Sequence, residues 1–296
     1  MSNLDTPTIS ASATHDFSKP LRFLIFGGTG PCGILLIRKA LQVYSNSTVI
    51  VSARSPQKIP EDLTFNGRVK IVTGKLEELD KVEKAFEAVA DSELHKQLEE
   101  PPSYDGATQP NTTLRSSKVD VILSALGPPV LKGFSYPSNH PIATFYGNLI
   151  DIMFNQGVKR LIVMCTASHP DPKDKLSGNP LTSGIVTIVK LFAHNAYVDF
   201  KEVGNIIRRK GGEAEGESSS QSGVPETDLK ASKLDWTLVR VPVLTNQDKE
   251  DTFAGYVGDG KTGNALTKKA FAAFCVGEVE KREWVRKAPF ICTPCL

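Results

Sequence analysis

The chain has 296 residues, 40% of them hydrophobic, and a formal net charge of +2. That length and apolar content supply the core of one large α/β unit. The near-balanced charge gives no strong field for nucleic acid or a lipid surface, and no apolar run reaches the roughly 18–20 residues that span a bilayer. The expected partner is therefore a small molecule, with no nucleic acid and no membrane. Residues 1–20, "MSNLDTPTISASATHDFSKP", are polar and lack the apolar centre of a secretory signal. They read as a disordered tail on a cytoplasmic protein.

Residues 21–26, "LRFLIF", form a short apolar run that predicts a buried parallel strand. "GGTGPCG" follows, and "ILLIRKALQVY" then has apolar residues at helical spacing. "STVIVSAR" and "VKIVTG" predict the second and third strands, with the helical "LEELDKVEKAFEAVA" after the third. "VDVILSAL" predicts the fourth strand, and "ATFYGNLIDIMFNQG" a helix ending at Gly157. "KRLIVMCTAS" is the fifth strand, "LFAHNAYVDFKEVGNIIRR" a helix and "DWTLVRV" the sixth strand. A looser region leads to a helix at "TKKAFAAFCVGEVE" and a last strand at "APFIC". Such alternation means βαβ units, so the expected fold class is α/β. It is a single Rossmann-type, doubly wound and mostly parallel sheet over residues 21–296, with helices on both faces.

Two polar stretches interrupt the alternation. Residues 95–117 are rich in Pro, Thr and Ser, and residues 211–228, "GGEAEGESSSQSGVPETD", are acidic and of low complexity. The βα pattern resumes after each, so both read as surface insertions. The five cysteines are Cys32, Cys165, Cys275, Cys292 and Cys295. Cys292 and Cys295 form a C-x-x-C without a second ligand pair, so no metal site is expected. All five read as reduced thiols.

The stretch from Gly27 to Gly33 carries the clearest chemistry. A strand, a glycine-rich turn and a helix make the first unit of a dinucleotide-binding fold. Gly27 allows the tight turn, Gly30 has no side chain to block a pyrophosphate, and Gly33 lets the helix pack closely. The helix N-terminus presents amides and a partial positive charge to the phosphates. Thr29, Pro31 and Cys32 complete the turn and are counted with it as cofactor-binding candidates.

The G-x-x-G-x-x-G spacing of "GGTGPCG" resembles the atypical, NmrA-like branch of the short-chain dehydrogenase/reductase superfamily. "VKRLIVMCTAS", "YVDFKEVGNIIRR", "LDWTLVRVPVLT" and "ALTKKAFAAFCVGEVEKREWVRKAPFI" extend the resemblance along most of the chain from Leu21. It implies an NADP(H)-binding protein. Arg54 stands where an acid at the end of the second strand would select NAD, with Lys58 four residues on, and the resemblance implies that Arg54 binds the 2′-phosphate. Leu76 and the "SALG" segment, Ser124 with Ala125, Leu126 and Gly127, would border the adenosine, and Pro242, in the loop after the sixth strand, is counted with the cofactor-binding residues. Lys75 departs from the family, which usually has an Asp there to contact the adenine. Lys cannot accept from the adenine amino group.

"YVDFK" sets Tyr197 and Lys201 four apart on one helix face and matches the superfamily's Y-x-x-x-K. In that pattern Tyr gives a proton to a carbonyl oxygen, while Lys lowers the Tyr pKa and holds the nicotinamide ribose. Thr166, or else Ser168, bonds the same oxygen. A Tyr and a Lys at this spacing also occur on helices with no catalytic role. His194 could donate a proton but reads better as a surface or core side chain. His140 and His169 read as solvated loop residues near the cleft. Residues 169–195 lie where the branch places its substrate cover. Phe145, Tyr146, Phe192 and Phe200 fit either an apolar pocket or the core.

The reading that follows is an NADPH-dependent oxidoreductase acting as monomer or homodimer on a hydrophobic carbonyl, quinone-like or conjugated compound, in a biosynthetic pathway. The same fold also serves a non-redox isomerase, cyclase or rearrangement enzyme with bound NADP, or an NADP(H)-sensing regulatory protein.

Overall fold

A computed structural model describes residues 20–90, 119–127, 136–175, 194–212 and 233–294. The strands are β1 (Arg22–Phe26), β2 (Thr48–Ala53), β3 (Val69–Thr73), β4 (Val121–Ser124), β5 (Arg160–Thr166) and β6 (Asp235–Val241), then the short β7 (Val243–Thr245), β8 (Phe253–Gly255), β9 (Ala265–Thr267) and β10 (Phe290–Cys292). The helices are α1 (Pro31–Val43), α2 (Glu61–Thr64), α3 (Leu79–Glu87), α4 (Pro141–Gln156), α5 (His194–Gly211) and α6 (Lys268–Lys281).

The main sheet has the order β3-β2-β1-β4-β5-β6-β10-β8, while β7 and β9 pair separately. Every strand pair from β3 to β10 is parallel, and β8 joins β10 antiparallel. This is the doubly wound α/β fold expected from the alternation. β2 is buried along its whole length, as a strand covered on both faces must be. One face is covered by α1, α2 and α6 through Leu36, Leu63 and Phe271, the other by α3, α4 and α5 through Phe86, Tyr146 and Phe200. Burial of such aliphatic and aromatic surface, at ~25 cal/mol per Å², is the main force holding helices to sheet.

Strand order reverses between β1 and β4, which opens a crevice beyond their carboxyl ends. The region after β6 that read as loose contains β7, β8 and β9, each three residues long and too short to show a period. Gly157 ends α4 with φ 65, in the left-handed conformation that glycine adopts without strain. Gly211, which the composition groups with the second polar stretch, belongs to a helix instead. Gly211 is the buried last residue of α5, and a Cβ there would lie 2.7 Å from the Trp236 ring. Residues 1–19, 95–117 and 213–228 lie outside the described residues, as do Phe192 and Cys295. Cys32, Cys165, Cys275 and Cys292 are free and buried, and burial raises all four thiol pKa values. None of the helices is long and apolar enough to cross a membrane, and no cluster of potential metal ligands occurs among the described residues.

Candidate functional site

The turn after β1 is shaped by close backbone packing. Gly27 has φ 75, and a Cβ on it would lie 2.7 Å from the Ala125 carbonyl carbon. A Cβ on Gly33 would lie 2.1 Å from the Gly27 carbonyl oxygen, so α1 can start this close to the turn only with glycine there. Gly30 differs. A Cβ there would meet nothing nearer than the Gly27 oxygen at 3.5 Å, so its missing side chain leaves open space above the helix. Gly30 is the N-cap of α1, with φ −87, no side-chain cap and Pro31 just inside the helix. The first turn of α1 carries no acid to neutralise the helix dipole. An uncapped N-terminus facing open space at the switch point is shaped for an anionic group. A Cβ would collide with protein at Gly27 and Gly33 but not at Gly30, so the residues present could hold a pyrophosphate there.

The neighbouring strand ends border this turn. Arg54 follows β2, is exposed, and makes no hydrogen bond or ion pair among the described residues; Lys58 is exposed at the end of the next short turn. No carboxylate stands at the end of β2. The Gly74 amide donates to the Ala53 carbonyl at 3.2 Å, which sets the tip of β3 beside Arg54. Lys75 is exposed there, and its backbone amide donates to the Glu78 carboxylate at 2.6 Å. Leu76 is half-buried against the core. On the other side, Ala125 donates to the Phe26 carbonyl at 3.0 Å, so the Ala125–Leu126–Gly127 segment lies directly against the glycine turn. Pro242 is half-buried between β6 and β7. A pocket of about 230 Å³ opens between the first turns of α1 and the segment after β7, lined by Pro31, Ile34, Leu35, Asn246 and Lys268 among others.

At the end of β5 the Thr166 hydroxyl accepts from the Ser168 amide at 3.3 Å, and the Thr166 carbonyl accepts from the His169 amide at 3.2 Å. Both hydroxyl residues therefore sit in one tight turn. Tyr197 is half-buried and Lys201 exposed on α5, and neither forms a side-chain hydrogen bond to Thr166 or Ser168. Their helix face does run toward that turn. A Cβ on Gly204, one turn beyond Lys201, would lie 2.4 Å from His169 Nδ1, and Arg208 pairs with Asp171 at 3.2 Å.

His169 is a correction to the sequence reading. It is buried, with 4% exposure, and neither ring nitrogen makes a well-formed hydrogen bond among the described residues. Burial, with the Arg208 and Arg240 guanidinium groups, lowers its pKa to about 4, so the ring is neutral at pH 7. His194 is exposed, and His140 is the left-handed N-cap of α4 with φ 48. Phe145, Tyr146 and Phe200 belong to the core rather than to a pocket.

Several buried polar groups escaped the sequence reading, and two of them anchor α5 and the segment after β5. Asp199 lies inside "YVDFK" and is wholly buried. It accepts from the Ile142 amide at 3.1 Å, from the Ala143 amide at 2.8 Å and from the Tyr136 hydroxyl. A residue of α5 thus caps the N-terminus of α4, and burial plus this hydrogen bond push the Tyr136 pKa up. The signal was present: Ala196, Asp199, Phe200 and Val203 follow an apolar helical stripe with one carboxylate in it. The second group is Arg240 on β6, fully buried and bidentate on Asp174 at 2.6 and 2.9 Å. Burial acts to raise the Asp174 pKa, but Arg240 and two backbone amides outweigh it and hold the carboxyl low. The pair fixes the segment after β5, and no local pattern in the sequence announces it.

A family model described as NAD(P)H-binding matches residues 216–282. No curated protein matches the chain by sequence. Among solved structures, a short-chain dehydrogenase/reductase of the wide type from Veillonella parvula, in complex with NADP, is 14% identical with a TM-score of 0.60, over 93% of this chain and 95% of that one. A Rossmann-fold NAD(P)-binding family protein from Shigella flexneri is 16% identical with a TM-score of 0.55, over 93% and 94%. A candidate NAD-dependent epimerase/dehydratase from Bacillus halodurans is 15% identical with a TM-score of 0.56, over 92% and 94%. The chain has the Rossmann fold that these proteins share.

Proposed function

We propose that the protein is an NADPH-dependent oxidoreductase of the short-chain dehydrogenase/reductase type, acting on a hydrophobic carbonyl, quinone-like or conjugated small molecule. The observation that carries this reading is the turn from Gly27 to Gly33, closed by backbone at Gly27 and Gly33 and open at Gly30 before an uncapped helix. The family-model match and the NADP-bound Veillonella structure support it. The amides of the first turn of α1 would hold the pyrophosphate, and the exposed Arg54 guanidinium the 2′-phosphate. When bound, NADPH supplies a hydride. Tyr197 would hold the proton delivered to the substrate oxygen. Lys201 would favour the Tyr197 phenolate by its charge and touch the ribose, and Thr166 or Ser168 would orient the oxygen.

A second reading, an NADP(H)-binding regulatory protein, is favoured by Asp199: the residue of "YVDFK" with the most structural work is the buried carboxylate, not Tyr197 or Lys201. NADPH oxidation against a panel of aldehydes and quinones separates the two. The enzyme reading expects turnover that Tyr197→Phe lowers by roughly 10²–10⁴-fold with NADPH binding intact. Full activity in Tyr197→Phe would remove Tyr197 from the chemistry, and NADPH binding without turnover of any panel member would favour the regulatory reading.

A further inference from the structure

α4 reaches the wall of the crevice at Ser124, which the sequence placed beside the adenosine and the structure buries. Ser124 is the last residue of β4, and its hydroxyl lies 2.6 Å from the Tyr146 hydroxyl on α4, in a hydrogen bond buried on both sides. The Leu126 amide makes a long hydrogen bond, 3.5 Å, to the same Ser124 oxygen. Ser124 is 1% exposed and so cannot itself touch a ligand. What it can do is hold the backbone that follows it. That backbone, Ala125 and Leu126, is the wall against which Gly27 packs: a Cβ on Gly27 would lie 2.7–2.9 Å from Ala125 carbonyl atoms and the Leu126 nitrogen.

The neighbouring residue works on the other strand of the crevice. Phe145 meets Phe26, the last residue of β1, edge to face with ring centroids 5.0 Å apart, and also packs on Tyr146 at 5.4 Å. One turn of α4 therefore grips the ends of both strands that flank the switch point, β1 by a ring and β4 by a hydroxyl. Burial keeps the Tyr146 phenol protonated, so it can always donate. Phenylalanine would fill the same core space. The hydroxyl is there for Ser124.

We propose that Tyr146 is a positioning residue of the cofactor groove: through the Ser124 hydroxyl it sets the Ala125–Gly127 segment against the glycine turn, and so fixes the width of the cleft that receives the dinucleotide. This rests on the NADPH reading above. The observations that carry it are the hydrogen bond and the close packing of Gly27.

The test is a double-mutant cycle read by NADPH binding, using Tyr146→Phe, Ser124→Ala and the double variant of the full chain. NADPH fluorescence gives the Kd and thermal unfolding gives the Tm. Each single change should raise the Kd about five- to tenfold, the worth of one buried hydrogen bond, and the double variant should bind no worse than the weaker single one. Ile150→Val, one turn further along α4 in the same core, should lower the Tm with the Kd unchanged. Ile150→Val weakening NADPH as much as Tyr146→Phe would overturn the proposal, because loosened packing alone would then explain the effect. Wild-type Kd in both Tyr146→Phe and Ser124→Ala would overturn this inference and leave the cofactor reading standing. Failure of the wild-type protein to bind NADPH would overturn the cofactor reading itself.

Discussion

The turn between β1 and α1 and the middle of α5 each carry a short motif, and the two are built in opposite ways. In the turn, the motif residues are defined by what they lack. Gly27 and Gly33 have backbone where a Cβ would be, and Gly30 has open space. In α5 the motif's outer residues, Tyr197 and Lys201, are half-buried and exposed, while the residue between them, Asp199, is buried and carries three hydrogen bonds. A motif made of steric absences is tied to one backbone geometry. A Tyr and a Lys four apart are compatible with many.

The comparison breaks most visibly at the glycines. Gly33→Ala should cost more than about 3 kcal/mol of stability, since its Cβ would meet a backbone oxygen that has nowhere to go. Gly30→Ala should leave urea unfolding nearly unchanged and weaken NADPH. If both variants were equally destabilised, the distinction between a closed and an open glycine would fail. In α5, Asp199→Ala should cost about 3 kcal/mol by urea unfolding, because two amides of α4 and the Tyr136 hydroxyl lose a buried charged acceptor. A wild-type unfolding midpoint for Asp199→Ala would show that the carboxylate is not the latch between the helices.

His169, packed against Gly204 of α5, gives a smaller, pH-dependent effect. Its folded pKa, about 4, lies below the ordinary histidine value of 6.5, so the unfolded chain binds the proton more readily. The contribution is present in full above pH 6.5 and is lost as the pH falls toward 4. The loss reaches about 2 kcal/mol by pH 5. Arg208, Arg240 and Asp171 are the charged groups that act on the ring. Asp174 and Asp259, whose pKa values are lowered, lose their contributions only in the more acidic carboxylate range. Urea unfolding at pH 7 and pH 5 should therefore show a steeper loss in wild type than in His169→Asn. Equal slopes would contradict the assignment.

The main sheet was legible because each parallel strand is a short apolar run between punctuation. "DWTLVRV" is β6 residue for residue. β7, β8 and β9 were not: each is three residues long and, unlike "APFIC" at β10, none closes a βα unit that would mark it as a strand. The glycine turn was legible because its spacing encodes backbone contact. His169 was misread because a His after a strand, followed by Pro170 and Asp171, has the composition of a solvated loop. Its burial depends on Gly204, 35 positions away in sequence, and on Arg240 from β6. Asp174 and Arg240 are 66 positions apart, so their pairing is a fact of topology and not of any local pattern.

The central claim is that an NADP-type dinucleotide binds at the glycine turn with its 2′-phosphate on Arg54. Its most direct test is a titration of NADPH and NADH into the wild-type protein and into Arg54→Ala. A bidentate charged contact contributes about 2–3 kcal/mol, so wild type should hold NADPH roughly 30- to 150-fold more tightly than NADH, and Arg54→Ala should bind the two alike. Equal affinity for NADPH and NADH in the wild type would contradict the account.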